Sequence, residues 1–309
     1  MKHLKFLSAD EKTAVHMVYW LPKNPPIATI QLVHGMAEYS ERYDDFARYL
    51  TRQGFAVIGH DHLGHGQSVN NQTIPYGYFT KRRPDEVLIS DIKQVSDWVA
   101  DTFKSIPHII LGHSMGSFAV RNYLQQLGTS SKLAGVILMG TGKKPHGLEV
   151  ARVVSAITKR VAPKKVNRLL NKLAFGGYAR HFEEAGQFNW LSQNQANVKQ
   201  YEENQLTGFT FTNNGFYTLF KLVALATRNC WAYQVDTNLA YLVISGAEDP
   251  VGQYSKGPKK VANELKAARA SSVDLRLFKN LRHEILFEQE KEQVYTAIIT
   301  WIQKNILHK

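Results

Sequence analysis

The sequence predicts an α/β fold: a mostly parallel sheet with helices on both faces, carrying one helical insertion. Three observations lead there. Segments of strand and helix character alternate along most of the chain. The strand segments are continuous apolar runs, as a sheet covered on both faces requires. From 142 to about 234 the alternation stops in favour of helical character, and then it resumes.

Composition supports a folded enzyme-sized domain. The chain has 309 residues, 44% of them hydrophobic, enough for one large core. A single cysteine, Cys230, excludes an intrachain disulfide and is expected to be a small buried apolar residue. The first eleven residues are too charged for a secretory signal, and no run of about 18 apolar residues could span a bilayer. A soluble, cytoplasmic protein is expected, with peripheral membrane contact left open.

In chain order, residues 4–7 and Ala14–Trp20 read as a hairpin, the second strand showing some alternation. Asn24-Pro25-Pro26 stops it. Ala28–Val33 is a buried strand running into His34-Gly35-Met36-Ala37-Glu38. Residues 41–53 have helical spacing through Phe46, Tyr49 and Leu50, and Gly54 ends them. The strand 55–59 opens into a glycine-rich loop, 61–68. Residues 84–103 are helical through Val87, Ile92, Val95 and Val99. A strand ending at Leu111, a helix at 117–127 and a strand at 133–139 follow. Within the insertion, helices are expected at 150–161, 166–175 and 216–227. Beyond it come a strand at 240–245, a helix at 257–270, a strand at 273–278 and a helix at 291–306. The expected organisation is a core of 1–141 and 235–309 with a lid of 142–234, set over the carboxyl ends of the strands where such sheets bind ligands.

Charge is uneven. The net charge is +12, and between Gly142 and Ala232 there are 13 Lys and Arg against 5 Asp and Glu. No nucleic-acid motif accompanies this excess, so nucleic acid is not an expected partner. Solvated surface is the ordinary reading, and attraction to anionic lipid is the other.

The chemistry centres on Gly112-His113-Ser114-Met115-Gly116, G-x-S-x-G between a strand and a helix, which forms a nucleophile elbow. A serine hydroxyl is a weak nucleophile and must be presented to a base. The turn that presents it brings chain so close that glycines are needed at 112 and 116. The base and its orienting acid should follow in the order acid, then histidine, each in a loop after a strand. Asp249 fits the acid, with Glu248 as the alternative. His283, after the last strand, fits the base. Two N–H groups must hold the oxyanion: Met115 at the helix start, and Met36 in the loop after Ala28–Val33. Gly35 and His113 adjoin these groups and are assigned to the substrate-binding surface, His113 as a structural rather than a catalytic residue. Glu38 and Arg42 could pair near the oxyanion loop. The cluster His60-Asp61-His62 with His65 looks like a metal set, but polar side chains in such a loop more often bond the loop to itself, so no metal is expected.

The strings HGMAEYSERY (34–43), HDHLGHGQS (60–68), GHSMGS (112–117), GAEDPVG and LRHEILFE resemble the monoacylglycerol lipase and lysophospholipase branch of the α/β-hydrolases. The likeness covers 28–140 and 240–306 and is weak across the lid. It implies an α/β-hydrolase fold, Ser114, Asp249 and His283 as the triad, Met36 and Met115 as oxyanion donors, and no metal or organic cofactor. It implies a lipid ester as substrate and a lid able to meet membranes. One departure stands out: between Lys143 and Arg180 the lid carries 10 Lys and Arg against one Glu.

Other functions keep the same residues. A carboxylesterase or thioesterase on small soluble substrates would use the same triad. Peptide hydrolysis is disfavoured because the chain lacks the G-G-S-W-G elbow of the proline iminopeptidases it otherwise resembles. Epoxide and haloalkane hydrolases would need aspartate at 114. An inactive binding module is disfavoured because every triad position is filled.

Overall fold

The computed structural model describes residues 1–70, 72–129, 132–184 and 186–308. Among these, eight strands make one sheet: β1 (Lys2–Leu7), β2 (Ala14–Trp20), β3 (Ala28–Val33), β4 (Phe55–His60), β5 (His108–His113), β6 (Gly135–Met139), β7 (Ala240–Gly246) and β8 (Ser272–Phe278). Their order is β1-β2-β4-β3-β5-β6-β7-β8. The pairs β1–β2 and β2–β4 are antiparallel, and every pair from β4 across to β8 is parallel. This is the α/β-hydrolase arrangement.

Nine helices accompany the sheet in the described residues: α1 (Asp44–Arg52), α2 (Pro84–Thr102), α3 (Met115–Leu127), α4 (Leu148–Val161), α5 (Arg168–Phe175), α6 (Gln195–Glu203), α7 (Asn213–Ala226), α8 (Lys256–Ala267) and α9 (Lys291–Ile302). Their starts follow local chemistry. Pro84 occupies the first turn of α2, where its missing N–H costs nothing. Asn167, Asn194 and Thr212 cap α5, α6 and α7 by accepting from Leu170, Ala196 and Gly215 N–H.

Successive side chains of a strand point to opposite faces, and the core divides accordingly. Ile109, Leu111, Ile137, Met139, Leu242 and Ile244 face Phe46 of α1 and Ile298 of α9. Ile110, Val136, Leu138, Tyr241 and Val243 face Ile92 of α2, Val120 of α3, Val261 of α8 and Phe216 of α7. Each aliphatic side chain buried this way contributes about 1.5–3 kcal/mol. Continuous apolar strands therefore mean two cores, one on each face.

The four helices α4 to α7 lie between β6 and β7, which are neighbours in the sheet. The last of them is anchored: Asn122 Nδ2 of α3 donates to the Leu222 carbonyl at 2.9 Å. Register sets the site. Val33 stands opposite Gly112, and His113 opposite Met139. The loops that follow β3, β5 and β6 consequently emerge side by side.

Several details depart from the sequence reading. The strand β2 is buried on both faces rather than alternating, because Met17 packs against Val95 and Val99 of α2 while Val18 and Trp20 pack with Tyr43 and Phe46. The helix α3 begins directly after Ser114, the short helix α6 was not expected, and α9 ends at Ile302 in a π-helical turn, Gln303–Leu307. Cys230 is exposed rather than buried. It takes a left-handed turn conformation (φ 63°) ahead of Trp231, which fills the core in its place.

Candidate active site

Ser114 joins β5 to α3 with φ 52° and ψ −121°, a strained conformation for a residue with a side chain. Close packing imposes it. A Cβ on Gly112 would come within 2.6 Å of the Gly116 carbonyl oxygen, and one on Gly116 within 2.0 Å of the Val33 carbonyl oxygen. Both glycines are thus required by contact. The Ser114 N–H donates to the Met139 carbonyl at 2.9 Å, which ties the elbow to β6.

Asp249 follows β7 and is fully buried. Its Oδ1 accepts the Val251 N–H at 2.8 Å and its Oδ2 accepts Ser245 Oγ at 3.2 Å, so the carboxylate is held in place. His283 follows β8, with Nδ1 3.0 Å from Asp249 Oδ1. The pair is at ion-pair distance, although the ring N–H is not aligned for a hydrogen bond. Such contacts commonly tighten only with substrate bound. Glu248 is half-buried, with its carboxylate 3.4 Å from the Gln193 amide nitrogen. His283 also packs against His113 (ring centroids 4.9 Å apart) and against Trp190 of the insertion (5.2 Å).

The Met36 and Met115 N–H groups have no protein acceptor among the described residues, and both residues line the same cavity as Ser114 and His283. The loop after β3 is strained and is supported by residues of the segment between β6 and β7. Ala37 has φ 53°, and its carbonyl accepts the Gly208 N–H and the Tyr201 hydroxyl, each at 3.1 Å. Gly35 does not line the cavity. Its N–H donates to Glu38 at 2.6 Å, and a Cβ there would stand 3.0 Å from Ser114 Cβ. It makes room for Ser114. His113 does line the cavity, but its Nδ1 is engaged by Glu38 at 2.9 Å.

A buried charge network joins these parts. Glu38 takes Gly35 N–H, His113, the Tyr43 hydroxyl and Arg42. Arg42 also grips Glu284, the residue after the base, with both terminal nitrogens, and reaches Asn197 of α6. Its guanidinium lies against the Tyr201 and Phe287 rings, at 4.9 and 4.3 Å. Burial alone would raise the Glu38 pKa, but His113 and Arg42 outweigh it and hold the carboxylate well below its usual range. Burial pulls His113 down, and the Glu38 carboxylate outweighs that, so the imidazole titrates above its ordinary value. The sequence suggested only the Glu38–Arg42 pair. Glu284, Tyr201 and Trp190 carry no local signal that could have identified them.

The cavity above Ser114 has a volume of about 1080 Å³ and is walled mostly by the insertion, including Leu148, Leu170, Phe175, Phe209, Leu219 and Val223. That is the upper end of the range for small-molecule sites. Lys143, Arg168 and Lys172 also reach it.

The histidine loop behaves as a structural unit. Asp61 accepts His16, Ser40 N–H and Gln67 N–H, and His62 and His34 bond one another. Burial holds His34, His60, His62 and His65 below the ordinary histidine range, His60 and His65 at about 3, so these rings are neutral.

A family model described as serine aminopeptidase, S33, matches residues 24–290. A monoglyceride lipase of Rattus norvegicus is 25% identical over 294 residues, 93% of this chain and 86% of that protein. A monoacylglycerol lipase of Mycolicibacterium smegmatis is 24% identical over 297 residues, 94% of each chain. A solved carboxyl esterase from Bacillus coagulans, in complex with glycerol, superposes with a TM-score of 0.90 at 25% identity, covering 99% of this chain and 98% of that one.

Proposed function

The chain belongs to the serine aminopeptidase, S33, family of α/β-hydrolases, and we propose that it hydrolyses carboxylic esters of monoacyl lipids, monoacylglycerols or lysophospholipids, on Ser114. In this reading His283 takes the Ser114 proton as the hydroxyl attacks the ester carbonyl. The Met36 and Met115 N–H groups hold the oxyanion. The tetrahedral species collapses, His283 gives its proton to the departing alcohol, and the acyl group stays on Ser114. Water, activated by the same imidazole, then releases the fatty acid. Asp249 holds the ring's tautomer and stabilises the imidazolium.

The observation that carries the substrate class is the apolar cavity ending at Ser114. An acyl chain would exchange water for its aliphatic and aromatic walls. The family description names an aminopeptidase, but the cavity is poorly suited to a free peptide N-terminus, which needs an unpaired carboxylate. Among the described residues the acids lining it are Glu38 and Glu284, and both are already engaged, Glu284 by Arg42 and Glu38 by Arg42 and His113. Its free charges are cationic, which favours a neutral or anionic head group.

We read residues 142–234 as the lid over a core of 1–141 and 235–309. On α4, Val150, Val153, Val154, Ile157 and Val161 are exposed at one-face helical spacing, and Leu169 and Leu173 of α5 extend the apolar surface. An apolar stripe flanked by Lys and Arg suits the surface of an anionic membrane. Among the described residues no helix is long and apolar enough to cross one.

The test is hydrolysis of monoacylglycerol and lysophospholipid beside a chain-length series of p-nitrophenyl esters, with fluorophosphonate labelling. Ser114→Ala should abolish turnover and labelling. Labelling that persists at full strength would move the nucleophile elsewhere. Rates that fall as the acyl chain lengthens would favour a small soluble ester or thioester instead.

A further inference from the structure

We propose that His3, His16 and Glu41 form a binding site for a divalent transition-metal ion, zinc foremost, separate from the catalytic cavity. Sheet pairing brings the two imidazoles together. In the β1–β2 register Lys5 stands opposite His16 and His3 opposite Val18, which makes His3 the diagonal neighbour of His16 on one face. His3 Nδ1 and His16 Nε2 are 3.0 Å apart. The 3₁₀ turn Ser40–Tyr43 adds Glu41, whose Oε1 is 3.7 Å from His3 Nδ1 and 3.8 Å from His16 Nε2. Ligand atoms set tetrahedrally at about 2.0–2.1 Å from zinc lie roughly 3.4 Å from one another. The observed triangle brackets that spacing.

A second observation concerns the outer shell. The buried His16 presents its other nitrogen, Nδ1, to Asp61 Oδ2 at 2.9 Å. Asp61 is itself fixed by Ser40 and Gln67 N–H. A carboxylate behind a histidine selects the tautomer that turns the Nε2 lone pair toward a metal. Gln67 Nε2 donates to Glu41 Oε1 at 2.7 Å and orients that carboxylate too. The His3 side chain is 46% exposed, so it can turn toward a common centre and water can complete the coordination. Two imidazoles and one carboxylate match zinc and its neighbours, whereas calcium and magnesium prefer oxygen alone. None of the three residues lines the Ser114 cavity. The ion would clamp β1 and β2 to the turn that also carries Arg42. The sequence reading expected no metal, but it weighed only the 60–65 loop.

The test uses the full chain, freed of metal with a chelator and then titrated with Zn²⁺ by calorimetry. Co²⁺ serves as an optical probe of coordination geometry. The wild type should bind one ion, gain thermal stability with it, and give a four-coordinate cobalt spectrum. Both His3→Ala, at an exposed position, and Glu41→Gln, which keeps an acceptor for Gln67, should weaken binding at least tenfold, a loss of the size seen when metal-site partners are removed. Absence of stoichiometric binding, or equal affinity and an unchanged cobalt spectrum in His3→Ala, would overturn the proposal and leave the two histidines as a simple hydrogen-bonded pair.

Discussion

Arg42 holds Glu284 in a two-pronged grip, Nη1 to Oε1 at 2.7 Å and Nη2 to Oε2 at 3.0 Å, so the turn Ser40–Tyr43 is locked to the residue after His283. The same guanidinium binds Glu38 at 3.0 Å, and Glu38 binds His113 at the elbow. Three loops around Ser114 and His283 thus share one cation. Preorganised donors lower a barrier only while they keep their aim, and in the proposed mechanism this network would hold that aim.

Arg42→Ala should therefore destabilise the fold by about 3–5 kcal/mol, because it strips the buried Glu284 of its cation and leaves Glu38 with His113 alone. Denaturant unfolding measures the loss, and ester turnover should fall with it. Adding Glu284→Gln to Arg42→Ala should recover part of that loss, since one stranded charge is gone. A double variant as unstable as the sum of its singles would show that the two residues do not act together.

Asp249→Asn should lower kcat by about 10⁴ through the wrong imidazole tautomer. Glu248→Gln should leave kcat near the wild-type value, since that carboxylate is half-buried and 3.4 Å from an amide nitrogen. Steady-state rates on one soluble ester decide between them. The reverse ranking would make Glu248 the orienting acid.

The exposed face of α4 should govern attachment to lipid. Val153→Glu and Ile157→Glu place charge on residues 60% and 55% exposed. They should reduce sedimentation with anionic vesicles while sparing hydrolysis of a soluble ester. Raising the salt should weaken wild-type binding as the basic flanks are screened. Equal binding to neutral vesicles would remove the electrostatic contribution.

Acid should unfold the protein early. His60 and His65 stay neutral in the fold down to about pH 3, because burial disfavours their charged form. In the unfolded chain they take up protons near pH 6.5. Their stabilising contribution is complete above that pH and is lost as pH falls from 6.5 toward 3, each ring adding about 1.4 kcal/mol per pH unit to the slope. His60→Leu should reduce the slope by that amount between pH 6 and 4. Its cost near neutrality should be small, because neither His60 nitrogen has a partner among the described residues. Urea unfolding at a series of pH values tests both statements.

Much of the site was readable from local pattern. The elbow announced itself because close packing tolerates only glycine at 112 and 116, and that leaves a mark in the sequence. Asp249 and His283 stand out in the sequence because each follows an apolar strand in the expected order, and the fold sets them 3.0 Å apart. Gly35 sits where a Cβ would crowd Ser114, and its N–H is taken by Glu38. Cys230 was placed inside on residue type alone. The turn that carries it puts Trp231 in the core and leaves the thiol outside.

By itself the sequence determined the alternation of strand and helix and the strained serine turn, and it nominated the residues proposed as acid and base. These follow from hydrophobic period, glycine contacts and position after a strand, all of which are local. Tertiary structure alone decided that Arg42 would meet Glu284, 242 positions away, that Tyr201 would steady the oxyanion loop, and that His3 and His16 would face Glu41. Those partners are chosen by strand order, register and the burial of charge, which act only once distant segments pack together.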